Sequence, residues 1–378
     1  MRRLGFGIAL VLSLFMAPLQ GFAEQPETIA KEAYIIDATS GAVLLDKDSG
    51  KRIPTASMSK IMTMAVVFQA IKDGQLSLQQ SLPVSEKAWK MEGSKMFVEV
   101  GKQVPVEDLI KGVIVQSGND ATVVLAEGVA GSEDKFAGMM NDKAQMWGLT
   151  GSHFMNASGM PDPNHYSTPR DLAVLAWHLI TEFPEDYKYY AMPEYTYNGI
   201  TQQNRNPLIG KVTGADGVKT GHTEEAGYCL IGSAVRDGRR VIMVLAGLAS
   251  WDDREKESVR LMNWALDSFK IGRLVKQGQE LVKAPVVYGA SDNVMLVAGR
   301  DAVATIPASM TLKDVTVKVK YNSPLVAPLK AGQEVGSVTV SGQGIVEQTF
   351  PMVTAQAVEQ KGFIGLTFDK IIQAAKNK

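Results

Sequence analysis

The sequence predicts a mixed α/β (α+β) catalytic domain followed by a small all-β sandwich domain. The chain has 378 residues, more than one ordinary core accommodates. Up to about Lys276, helical and strand periodicities alternate along the chain, as in domains that layer helices on a sheet. From Glu280 to Gln356 the texture changes to short β-branched runs punctuated by Gly and Pro, with no convincing helix, the pattern of an all-β unit. These shifts place a catalytic domain over 24–276 and a β domain over 277–358, between a leader at 1–23 and a tail at 359–378.

The elements follow in order. Arg2 and Arg3 precede an apolar run from Ile8 to Leu19, and Gly21-Phe22-Ala23 supplies small outer residues, so residues 1–23 read as a cleaved secretory signal peptide. The run is shorter than the roughly 20 residues a spanning helix needs. Ala33–Asp37 and Ala42–Leu45 read as a hairpin around Gly41, and Ile61–Ile71 as a helix apolar nearly all round, hence buried. Helical stretches follow within Val104–Ala130. The helix over Thr168–Glu182 has a clear start, with Thr168 as N-cap, Pro169 first and Asp171 three residues after the cap. Tyr228–Val235 and Arg240–Leu248 read as strands joined by a turn at Asp237-Gly238, before a helix over Arg254–Phe269. In the β domain Val315–Tyr321 alternates strictly, and Val335–Val340 runs into the turn Ser341-Gly342-Gln343-Gly344. In the tail, at about 100° per residue, Phe363, Ile364, Phe368, Ile371, Ile372 and Ala375 share one half of the helical circumference. Asp369, Lys370, Gln373, Lys376 and Asn377 take the other half, with Leu366 the exception. Such a helix suits a bilayer surface.

Composition excludes several functions. A formal charge of −1 leaves no cationic excess for nucleic acid. The lone cysteine, Cys229, has no internal disulfide partner and sits in an apolar run, as a buried small hydrophobe does. The four histidines have no metal-ligand spacing, so no metal is expected.

Three short motifs carry chemistry: Ser57-Met58-Ser59-Lys60, Ser117-Gly118-Asn119 and Lys219-Thr220-Gly221, with gaps of 60 and 102 residues between their first members. Each alone is weak; S-x-x-K is common on helix surfaces and K-T-G is an ordinary turn. Their ordered occurrence is the signal. Residues i and i+3 share a helix face, so Ser57 and Lys60 can touch. A serine hydroxyl needs a base, and burial or neighbouring cations such as Lys219 lower a lysine's pKa toward that role. A helix N-terminus at Ser57 brings free N–H groups suited to an oxyanion.

The runs Pro54–Thr63, Ile114–Ala121, Tyr166–Asp171 and Gly217–Thr223 resemble the low-molecular-mass penicillin-binding proteins that act as D-alanyl-D-alanine carboxypeptidases. The resemblance extends over nearly the whole chain after the leader. It implies a penicillin-binding/serine β-lactamase-like fold and no cofactor. Its partners would be peptidoglycan stem peptides, β-lactams as covalent inhibitors, and the inner-membrane surface through the tail, placing the enzyme in the periplasm. By resemblance Ser57 forms the acyl-enzyme, Lys60 is the base, Ser117 relays a proton and Asn119 positions substrate. Lys219, Thr220 and Arg254 would hold the terminal carboxylate, with Gly221 in the same motif. The backbone N–H groups of Ser57 and His222 would form the oxyanion hole. A class A β-lactamase shares the motifs, but the chain has no E-x-x-L-N run between Asn119 and Lys219. A non-catalytic cell-wall binding module would make the intact motif set vestigial.

Overall fold

The computed structural model describes residues 26–310, 315–342 and 345–362. The leader, the amphipathic segment from Phe363 onward and the turn residues Gln343-Gly344 lie outside them. The chain divides into two compact units between Asp267 and Ser268.

The first unit is built on an antiparallel sheet. Its strands are β1 (Glu32–Asp37), β2 (Ala42–Lys47), β3 (Ala215–Thr223), β4 (Gly227–Arg236) and β5 (Arg239–Leu248), in the order β2-β1-β5-β4-β3. The β4–β5 turn takes positive φ at Asp237 and Gly238, the twist a tight hairpin needs. The main helices are α1 (Lys60–Lys72), α2 (Val106–Ile114), α3 (Asn119–Ala130), α4 (Glu133–Met146), α5 (Pro169–Glu182) and α6 (Trp251–Asp267). Helix α5 packs on β1 and β5, and α6 on β4 and β5. Helix α1 lies among α3, α4 and α5, which is why Ile61, Met62, Ala65, Val66 and Phe68 on all its sides are buried. Thr168 caps α5 by accepting from the Asp171 N–H at 3.1 Å. The Asp171 carboxylate in turn accepts from Gly151 N–H and Ser152 Oγ at 2.8 and 2.7 Å, so the cap also ties down the preceding loop.

The second unit is all β. Its strands are β6 (Phe269–Val275), β7 (Glu280–Val287), β8 (Asn293–Ala298), β9 (Ala302–Pro307), β10 (Val315–Tyr321), β11 (Leu325–Val326), β12 (Glu334–Gly342) and β13 (Ile345–Thr354). They form a sheet ordered β10-β12-β13-β8-β7-β11 and a separate β6–β9 ladder. Leu296, Val338, Val340, Phe350 and Met352 fill its core.

Three local readings differ from the sequence pattern. Helix α6 starts at Trp251 rather than Arg254, because Ser250 Oγ accepts from the Asp253 N–H at 3.0 Å and caps it. It ends at Asp267, and Phe269 opens a strand of the second unit, so the division falls before the expected 276/277. Strand β6 buries Phe269, Gly272 and Val275, every third residue rather than every second, and its pairing with β9 shifts between Arg273 and Val275. Lys219-Thr220-Gly221 is not a turn but the middle of β3, at the edge of the first sheet.

Candidate active site

Ser57 sits in a single 3₁₀ turn, Ala56–Ser59, directly before α1. Ala56 holds a positive φ of 46°, and Ser59 Oγ donates to the Ala56 carbonyl at 2.9 Å. Gly159 backs this turn so closely that a Cβ there would stand 2.0 Å from the Ala56 oxygen. Gly221 on β3 faces the same turn, where a Cβ would meet the Thr55 oxygen at 3.0 Å. The Ser57 turn is therefore packed closely between two backbones, and at Gly159, where φ is positive as well, only glycine fits.

Lys60 opens α1 and is 1 % exposed. Its Nζ lies 2.8 Å from Ser57 Oγ, and donates to Asn119 Oδ1 at 2.7 Å and to the Ser158 carbonyl at 2.6 Å. Burial, helped by the nearby Arg205 charge and opposed by Asp120, pulls its pKa down to about 7. A neutral amine has two hydrogens and one lone pair. Two carbonyl oxygens can only accept, so they take both hydrogens and leave the lone pair for the Ser57 hydroxyl.

Asn119 is the first residue of α3 and is held in turn, its Nδ2 donating to the Glu92 carbonyl at 2.7 Å. Ser117, two residues earlier, is buried with a positive φ of 60°, a conformation costing about 1–2 kcal/mol in a residue with a Cβ. It lines a cavity of about 290 Å³ together with Ser57, Thr220, His222 and Arg254.

The cavity is cationic. Lys219 is buried and its Nζ donates to the Thr220 carbonyl at 3.1 Å. Burial first, then the charges of Lys60, Arg205 and Arg254, push its pKa well below the ordinary lysine range. Arg254 is 2 % exposed and stacks on Trp251 at 4.2 Å. Its Nε and Nη2 have no partner within the protein, and burial lowers its pKa to about 10. Such a set can hold an anion such as a carboxylate, which would satisfy the idle N–H groups and the clustered charge together.

The structure thus brings Ser57, Lys60, Ser117, Asn119, Lys219, Thr220, Gly221, His222 and Arg254 to one place in the first unit. It adds residues that no motif pointed to. Arg205 donates to Ser94 Oγ at 2.6 Å, and both line the cavity. Ser158 supplies a backbone carbonyl, which no side-chain pattern reveals. Cys229 is buried, its thiol pushed up to about 11 mainly by burial, which disfavours the reactive thiolate.

Residues 20–249 match the family model for D-alanyl-D-alanine carboxypeptidase (peptidase S11), and residues 269–360 that for the C-terminal domain of penicillin-binding protein 5. The D-alanyl-D-alanine carboxypeptidase DacA of Haemophilus influenzae is 36% identical over 364 residues, covering 94% of this chain and 92% of the relative. DacC of Escherichia coli is 38% identical over 384 residues, covering 98% and 95%. Among solved structures, penicillin-binding protein 5 from Haemophilus influenzae superposes with a TM-score of 0.83 at 36% identity, covering 89% of this chain and all of that one.

Proposed function

The chain belongs to the peptidase S11 family of serine D-alanyl-D-alanine carboxypeptidases, and on that premise we propose how its residues divide the reaction. The enzyme removes the terminal D-alanine of peptidoglycan peptides. Ser57 Oγ attacks the penultimate D-alanine carbonyl as Lys60 takes its proton, and a covalent acyl-enzyme forms while D-alanine departs. Ser117 carries the proton to the leaving amine, and the N–H groups of Ser57 and His222 stabilise the oxyanion. Water then releases the acyl group, with Lys60 again as base. β-Lactams enter the same path and stop at the acyl-enzyme.

The observation that carries this reading is the Lys60 amine between one hydroxyl and two carbonyl acceptors. The Lys60 charge is one of the influences that disfavour the Lys219 ammonium, and a substrate carboxylate beside Lys219, Thr220 and Arg254 would favour it. Mass spectrometry after benzylpenicillin tests the assignment, with a long-lived adduct on Ser57 expected; rapid release would indicate a β-lactamase.

Lys219→Gln should slow both D-alanine release and penicillin acylation by about 10- to 100-fold, since a hydrogen bond to a charged group contributes about 1.5–3 kcal/mol. Arg254→Ala should act in the same direction, more weakly. A substrate amidated at its terminal carboxylate should react as slowly with wild type as the free acid does with the lysine variant. Equal rates on acid and amide in wild type would remove the carboxylate role.

The apolar run after Arg2-Arg3 supports export to the periplasm, and the two-faced tail supports attachment to the inner-membrane surface. No helix among the described residues is long and apolar enough to cross a membrane. The attachment would be interfacial and reversible, with a salt-sensitive part from the tail lysines on anionic lipid. Deleting residues 361–378 should move the protein from the membrane to the soluble fraction with unchanged activity on a soluble peptide. A truncated form that stayed on membranes would overturn the anchor.

A further inference from the structure

A second cavity, of about 480 Å³, adjoins the nucleophile turn. Thr55 and Ala56, which lead into Ser57, line it, as do the loop Gly159–Tyr166 and Thr223 and Glu225 at the β3–β4 turn. His222 belongs to the cationic cavity and Thr223 to this one. Strand β3 therefore links the two, and at about 3.3 Å per residue Thr223 is about 10 Å beyond Thr220.

The charge reverses between them. The first cavity is lined by Arg205 and Arg254, with Lys219 buried behind Thr220. The charged residues of the second are Asp162, Glu225 and Arg52, with the Arg52 guanidinium stacked over Tyr166 at 4.4 Å. His165 adds no charge, because burial holds its pKa down to about 4. Its Nδ1 accepts from the Met155 N–H at 3.2 Å, so the ring hydrogen is on Nε2, and that buried N–H has no partner within the protein. Thr55 Oγ1, also in the wall and buried, is likewise unpaired. The wall thus carries net negative charge and unused polar groups.

We propose that this second cavity receives the side chain of the diamino acid that precedes the two terminal D-alanines, its ammonium facing Asp162 and Glu225. The inference rests on the carboxypeptidase reading above. With the terminal carboxylate at Lys219, Thr220 and Arg254 and the acyl carbon at Ser57, the peptide leaves the nucleophile along β3 toward Thr223. The residue next to the acylated D-alanine is one peptide unit further on, within side-chain reach of this wall. A substrate with an anionic end and an amine-bearing side chain matches the polarity on either side of Ser57. Where the side chain also ends in a carboxylate, Arg52 is the cation for it.

The experiment uses the full chain and two soluble peptides, each an Nα-acetylated L-lysine followed by D-Ala-D-Ala. One has a free side-chain amine and the other an acetylated one. Wild type should favour the free amine about fivefold in kcat/KM, the size of a pair of partly exposed ion pairs. Asp162→Asn and Glu225→Gln should each reduce that ratio, and the double variant should bring it to one. The acetylated peptide and benzylpenicillin should react with the variants at the wild-type rate, which also shows that they fold. No preference in wild type, or an undiminished preference in the double variant, overturns the subsite. So does a loss on the acetylated peptide as large as on the free amine. Failure of the carboxypeptidase reading looks different, with neither peptide hydrolysed and no penicillin adduct.

Discussion

Replacing Lys60 with alanine is expected to slow acylation of Ser57 about 10²–10⁴-fold, the usual contribution of general-base catalysis. Ser57→Ala should abolish the penicillin adduct and D-alanine release together. The pH dependence follows from the environment of the amine. The neutral form is the base, and burial brings the Lys60 pKa to about 7. Acylation of wild type should therefore fall as pH drops below about 7, by roughly tenfold per unit once the ammonium dominates. Lys60→Arg should not rescue, because a guanidinium stays charged throughout that range. Stopped-flow acylation by a chromogenic β-lactam between pH 5 and 9 measures both effects. A flat profile in wild type, or near-normal acylation in the alanine variant, would remove Lys60 as base.

What was legible in the sequence follows from which interactions are local. The Ser57–Lys60 contact is one helical turn long, and the apolar run after it fixes burial, so chemistry and pKa direction both read from adjacent residues. The Thr168 cap was equally local. The Lys219-Thr220-Gly221 strand was hidden because an edge strand facing a polar cleft carries Lys, Thr and His where a central strand carries Val and Ile. Arg254 is assigned by resemblance alone, since nothing local marks it; the Ser250 cap starts α6 at Trp251, and Arg254 lines the cavity. Ser94 and Arg205 meet across more than a hundred residues, and Ser158 acts through its carbonyl. Neither feature leaves a local pattern. The charge reversal across Ser57 is likewise a property of three separated loops.

Asp120 follows the Ser-Gly-Asn motif directly, and its replacement should have the largest effect on stability among residues that contact no substrate. It is fully buried. Its carboxylate accepts from the N–H groups of Met96, Phe97 and Val98 at 3.0, 2.8 and 3.1 Å, and from its own neighbour Ala121 at 2.9 Å. Those bonds hold Phe97 at a φ of 68°, a conformation costing about 1–2 kcal/mol that nothing local repays. The same segment carries Ser94, which bonds Arg205 in the cavity wall. Asp120→Ala leaves buried N–H groups unpaired, each costing about 1–3 kcal/mol. Partial relaxation toward water leaves a net loss of about 3 kcal/mol or more. For a unit of this size each kcal/mol lowers Tm by about 2–4 °C, so the drop should be about 6–12 °C. Asp120→Asn keeps one acceptor oxygen and should lose about half as much. Both changes also remove the anion that favours the Lys60 ammonium, so the acylation profile should shift to lower pH than in wild type. Calorimetry and the pH profile together separate the two roles. An alanine variant within about 1 kcal/mol of wild type would mean that the Ser94–Val98 segment is held by something other than this carboxylate.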